Sequence, residues 1–165
     1  MAEKAGFQEA FQVWLRKVIS DSEIEIEGLY STWADKDSEF PYIVYKLENN
    51  NYQQDNVVSQ ATLTIDIWDY AQLEREVLQI RELIVGLLDA RMVDKQEIAD
   101  IFAAYTDYDG DDVLAAFRLQ LDNENPIPTD TDNIWRRELQ FSVRYDRKRD
   151  IENIKGRKEV IWDLS

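Results

Sequence analysis

Between residues 57 and 88 the chain reads VVSQATLTIDIWDYAQLEREVLQIRELIVGLL, and the spacing of its apolar positions changes from two to three-and-four within a few residues. Val57, Ala61, Leu63, Ile65 and Ile67 lie on one face of an extended segment, with Gln60, Thr62, Thr64 and Asp66 on the other. That is the period of a strand buried on one side only. From Leu73 onward the stripe Leu73, Val77, Ile80, Ile84 and Leu87 has helical spacing, with Glu74, Arg75, Arg81 and Glu82 facing outward. The pattern predicts a long half-buried strand running directly into an amphipathic helix over residues 71–90.

The flanking segments can be placed around this unit. Phe7, Phe11, Trp14, Leu15 and Val18 recur at helical spacing and predict an N-terminal helix that ends at Ser20-Asp21-Ser22. Residues 23–27 alternate charged and apolar, which suggests a short strand continuing towards Tyr30. Residues 31–39 read as a polar loop, and Pro41 marks the entry to a strand over residues 42–48 with Ile43, Tyr45 and Leu47 on one face. The Asn- and Asp-rich stretch 49–56 predicts a hairpin connection to the next strand. Ile98, Ile101, Phe102 and Tyr105 suggest a second helix inside an acidic insertion spanning residues 92–112.

Two more alternating strands follow. Val113, Ala115, Phe117, Leu119 and Leu121 share one face of the first, and Trp135, Arg137, Leu139, Phe141, Val143 and Tyr145 share one face of the second. Between them, DNENPIPTDTDN at residues 122–133 holds two of the chain's three prolines and no basic residue, so a mobile projecting loop is expected. The expected fold class is α+β: a single domain with a mainly antiparallel β-sheet, an amphipathic helix packed on one face, and an N-terminal helix. Residues 1–146 would form this domain, and 147–165 a basic C-terminal extension.

Composition narrows the chemistry. The 165 residues include no cysteine and no histidine, so thiol nucleophiles, zinc-thiolate sites and histidine-based triads are excluded. No apolar run approaches the ~20 residues of a membrane span, and MAEKAGFQEAF lacks the basic and apolar regions of a signal peptide, so a cytoplasmic product without membrane contact is expected. Net charge is −15, the opposite of what phosphate binding requires. Residues 147–165 hold six basic residues against four acidic ones, whereas the 13 basic and 30 acidic residues before them leave 1–146 at −17. Such a tail is either a solvated extension or an arm, led by Arg147, Lys148 and Arg149, that docks on the acidic surface of a neighbouring copy.

Candidate chemical sites fare poorly. YTDYDGDD at residues 105–112 looks like a calcium loop, but placing Gly110 at loop position six puts Tyr105 and Ala116 where two principal ligands belong. Asp107, Asp109, Asp111 and Asp112 then read as an acidic surface. Asp66 with Asp69 could form a carboxylate pair, but among 34 acidic residues such pairs arise by chance, and Asp69 sits where it could cap the helix. The five glycines form no phosphate-cradling loop. Trp68 places a large ring beside Asp66 on the otherwise polar strand face, which suits a subunit or partner contact. No catalytic residue, cofactor site or metal site is expected.

The order of these elements resembles a known family. Phe40-Pro41-Tyr42-Ile43-Val44-Tyr45, Leu63-Thr64-Ile65-Asp66-Ile67-Trp68, the helix after it and Phe141-Ser142-Val143-Arg144-Tyr145 together resemble the tail terminator and tail completion (head-tail joining) proteins of long-tailed bacteriophages and prophages. The resemblance spans roughly residues 7–147 and rests on the succession of patterns, none of which is a chemical signature. It implies a structural, non-enzymatic role: a ring, usually a hexamer, that caps the head-proximal end of the tail tube and forms the joint to the head. The implied partners are further copies of the chain, the tail tube protein, the sheath protein where the tail is contractile, and a head-completion or connector protein. DNA would pass through without specific binding, and the protein would be found in the host cytoplasm during assembly and then in the virion tail. The acidic insertion and the C-terminal extension depart from the simpler members. Two other classes stay open on residues alone: an acidic adaptor or nucleic-acid-mimicking inhibitor, and a metal-dependent carboxylate enzyme.

Overall fold

A computed structural model describes residues 7–49, 58–94, 96–97, 100 and 116–146. Its elements are α1 (Phe7–Ser20), β1 (Gly28–Ser31), β2 (Tyr42–Asn49), β3 (Val58–Tyr70), α2 (Arg75–Leu88), β4 (Met92–Val93), β5 (Ala116–Ile127) and β6 (Ile134–Asp146). The strands form one six-stranded sheet in the order β1-β2-β3-β6-β5-β4. Only the β1–β2 pair is parallel; the remaining neighbours are antiparallel. The chain is a single α+β domain with helices packed on one face of a mostly antiparallel sheet.

The two-residue period of β3 sets its inner face: Ala61, Leu63, Ile65 and Ile67 are buried, and they face Ile43 and Tyr45 from β2 and Leu139, Phe141 and Val143 from β6 across the same layer. α2 lays Val77, Ile80, Ile84 and Leu88 onto this layer. Each such aliphatic side chain contributes about 1.5–3 kcal/mol when fully buried. The helical stripe differs from the expected one at both ends. Leu73 precedes the first turn and is exposed, and Leu88, one period after Ile84, is buried in the place expected for Leu87. α1 closes the far end of the same face. Phe11 and Trp14 pack on Phe117 of β5 with ring centroids 5.2 and 4.7 Å away, and Trp14 Nε1 donates to Glu97 at 2.8 Å.

Three further expectations need correction. Residues 23–27 precede the sheet rather than joining it, since β1 begins at Gly28; the alternation there reports only that Ile24 is buried while Glu23, Glu25 and Glu27 are exposed. Residues 122–133 are not one projecting loop, because β5 continues through Pro126 to Ile127. A register shift between Leu121 and Asn123 inserts Asp122 as a bulge, which turns Glu124 rather than Asn123 to the inner face. There Glu124 takes two hydrogen bonds from Arg81 of α2 and an ion pair from Arg137 of β6 at 3.2 Å, while Arg137 also reaches Glu74 at 3.5 Å. Arg81, expected on the solvent side, is therefore the clasp between α2 and the extended strand. Third, Asp69 caps nothing: the N-cap of α2 is Glu74, without a side-chain bond, and Asp69 is the last inward position of β3.

The expected connection at residues 50–57 lies outside the described residues, although the strands it joins are antiparallel neighbours as anticipated. Of the expected second helix, Gln96, Glu97 and Asp100 are helical and the rest falls outside the described residues. The insertion itself begins as sheet, with Met92 and Val93 pairing to Arg118 and Phe117.

Candidate functional site

Because α1 and α2 occupy the same side of the sheet, no element among the described residues covers its other face. The ladder registers order that face into rows running across β2, β3, β6 and β5. The row at one end is Tyr42, Trp68, Arg136 and Ile127; next come Val44, Asp66, Glu138 and Asn125; then Lys46, Thr64, Gln140 and Asn123; then Glu48, Thr62, Ser142 and Gln120. The far row runs Gln60, Arg144, Arg118 and, on β4, Met92. The face thus grades from aromatic through short polar side chains to basic.

The aromatic end is built from the backbone outward. Tyr42 and Trp68 are cross-strand partners, and their rings stack with an interplanar angle of 14° and centroids 5.9 Å apart. Arg136, the next residue in the row, holds its guanidinium 4.9 Å from the Trp68 ring centroid and donates to both carboxylate oxygens of Asp66, at 3.2 and 3.1 Å. One arginine therefore fixes Asp66 and Trp68 together, through a bidentate ion pair and a cation–π contact. Phe40 and Tyr30 extend the cluster on Tyr42 at 5.1 and 6.0 Å, and Phe40 also meets Tyr70 at 6.3 Å. Gly28 leaves room for this arrangement: a Cβ there would stand 2.5 Å from the Tyr30 ring. Burial, followed by Tyr30, raises the Tyr42 phenol above its ordinary value, with Arg136 acting in the opposite direction.

On the inner face, Asp69 is 2% exposed; its Oδ1 accepts the Tyr70 amide at 2.8 Å, and its Oδ2 has no partner. Burial and, next, the Glu76 carboxylate in the first turn of α2 push its carboxyl up to about 6.

Of the candidate contact residues, Asp66 and Trp68 are brought together as anticipated, and Arg136, Tyr42 and Phe40 complete the group. Arg136 was recognisable as an outward residue of its strand, but its place beside Trp68 depends on the β3–β6 register. Arg147, Lys148 and Arg149, and likewise Asp107, Asp109, Asp111 and Asp112, lie outside the described residues. So does the calcium-like stretch 105–112. Among the described residues no group of His, Cys, Asp and Glu is placed to hold a metal ion, and no helix is long and apolar enough to cross a membrane. The chain matches no protein-family model and no curated protein sequence.

Proposed function

We propose that this chain is a non-catalytic virion assembly protein, of the tail terminator kind, that caps the head-proximal end of a phage or prophage tail as a ring. The observation that carries the reading is the uncovered sheet face, where Asp66, Trp68 and Arg136 are fixed to one another on a surface several strands wide. Pre-ordered aromatic and guanidinium groups of this kind are what protein interfaces use as anchors. The order of elements supports it too, since N-terminal helix, strand entered at Pro41, long strand into helix, and paired final strands follow the family's succession.

In this reading six copies of the 19.5 kDa chain, the usual number in the family it resembles, form the ring. The ring ends tube polymerisation, meets the sheath where the tail contracts, and presents a surface to the head-completion protein. A net charge of −15 would line a DNA conduit with like charge, so that DNA passes without being held. Arg147, Lys148 and Arg149 dock the C-terminal extension on the adjacent copy, and assembly takes place in the host cytoplasm before the protein enters the virion tail.

The test is mass by light scattering with negative-stain imaging of the purified chain. Rings near six times the monomer mass are expected, together with their weakening on deletion of residues 147–165 and on Trp68→Ala. A folded chain that forms no ring, alone or with tail tubes, would refute the proposal.

A further inference from the structure

The basic end of the uncovered face contains an arrangement that is costly within one copy. Arg118 and Arg144 are directly opposed cross-strand partners, both exposed, and no carboxylate pairs with either among the described residues. Like charges placed opposite each other destabilise a sheet, and this chain has 34 acidic residues from which a partner could have been drawn. Arg81, Arg91, Arg136 and Arg137, which are half-buried, sit in ion pairs, while Arg16 and Arg75, exposed like Arg118 and Arg144, have none among the described residues. Beside the pair, Met92 on the edge strand β4 is 74% exposed over an open pocket of about 400 Å³ with Val93, Phe117 and Tyr145 in its lining.

The complementary charge lies at the opposite edge of the sheet and on its helix side, where residues 23–27 border α2 at Glu76, Gln79 and Leu83. Glu23, Glu25 and Glu27 are exposed on the segment that leads into β1, the other edge strand, and none has an ion pair among the described residues. Ile24 is anchored in the core, and the Glu27 backbone N–H donates a hydrogen bond to the Pro41 carbonyl at 2.8 Å, so the segment that carries the three carboxylates is held at both points. The segment lies beyond the Tyr42 row, whereas the arginines stand in the Gln60 row, eight residues away along β3 and four strands across. At 3.3 Å per residue and 4.8 Å per strand the two clusters are on the order of 30 Å apart. They cannot meet within one copy.

We infer that the occupant of the Arg118–Arg144 corner is a second copy of this chain, docked head to tail so that its Glu23, Glu25 and Glu27 face the two guanidiniums. The contact is heterologous: each copy offers one basic corner and one acidic segment, and repetition closes a ring or extends a filament. A nucleic-acid phosphate would satisfy the same guanidiniums, but the acidic body around them opposes its approach, while a carboxylate segment of the same chain is always available at equal concentration. The inference rests on the ring reading, and names the surfaces that make the ring.

Sedimentation velocity and light scattering on the full chain test it with two charge-reversed variants. One is Arg118→Glu with Arg144→Glu; the other is Glu23→Lys with Glu25→Lys and Glu27→Lys. Each alone should weaken self-association by about tenfold or more, and an equimolar mixture should recover it, because alternating copies then present opposite charges at every contact. Arg118→Lys with Arg144→Lys should retain association, and unchanged circular dichroism of all variants checks the fold. A wild-type oligomer that neither reversal weakens, or that the basic-corner reversal alone weakens without rescue by the mixture, overturns this pairing and leaves the ring intact. A wild-type chain that stays monomeric alone and forms no ring with tail tubes overturns the ring as well. DNA retention that is lost on reversing the arginines assigns the pair to phosphate instead and also overturns the inference.

Discussion

Asp69→Asn should stabilise the protein at neutral pH, although it removes a charge from a buried position. In the unfolded chain the carboxyl has its ordinary value of 3.8, and in the fold burial and Glu76 push it up to about 6. Because the folded state holds the proton more tightly, stability falls as pH rises from about 4 to about 6 and stays low above that range. Two decades in proton affinity correspond to about 3 kcal/mol at neutral pH. Asparagine is nearly isosteric, keeps an oxygen for the Tyr70 amide at the Oδ1 position, and supplies a donor where Oδ2 is orphaned beside Glu76. Urea unfolding of both proteins at steps between about pH 4 and pH 8 should show the variant about 1–3 kcal/mol more stable at the upper end, with the difference vanishing at the lower. A variant less stable at neutral pH, or a difference independent of pH, would show that the ionised carboxylate is satisfied in the fold and that the reasoning is wrong.

The opposite sign is expected at Glu124, whose carboxyl is held below the usual range, first by its hydrogen bond to Arg81. Glu124→Gln should cost about 1–2 kcal/mol near neutral pH, reduced from the value for a fully buried pair because the side chain is 26% exposed. That cost should shrink as pH falls below about 4 in denaturant titrations, where the wild-type carboxylate itself becomes protonated. Ala90, which follows α2 at φ 57°, occupies the left-handed region that glycine adopts freely; Ala90→Gly should raise stability by about 0.5 kcal/mol, seen as a small rise in Tm. Gly28→Ala should push the Tyr30 ring off its present position, and a loss of nuclear Overhauser contacts between Tyr30 and Tyr42 at nearly unchanged stability would register it.

Periodicity made the central strands and α2 readable, because their inward positions are apolar and evenly spaced. The continuation of β5 was hidden for a physical reason: beyond the bulge at Asp122 its inward residues are Glu124 and Pro126, which carry no hydrophobic signal. What holds them is Arg81, 43 positions away in sequence, and such a partner is invisible until the fold brings it near. Asp69 was within reach, since the two-residue period through Leu63, Ile65 and Ile67 points it inward; its acidity argued for a cap, and the period proved the stronger signal. At the candidate surface, Asp66 and Trp68 could be placed on the outer face from alternation alone. The arginines at 118, 136 and 144 could not be assigned neighbours without the register.

The β3–β6 ladder also sets the order in which the protein can form. Its pairs run from Tyr70↔Ile134 to Val58↔Asp146, so the strands at the centre of the sheet join residues 64 to 88 positions apart. Such non-local pairing delays the gain that offsets loop closure, and it places this domain among slower folders. On the ribosome, β3 has an apolar face and an unpaired edge until residues 134–146 have been made. Through that interval the chain is open to pairing with other nascent copies. The two surfaces inferred to join mature subunits come into being at different times: the acidic segment early, and the Arg118–Arg144 corner only when β6 closes on β5. Self-association through that corner therefore waits for the fold to be complete.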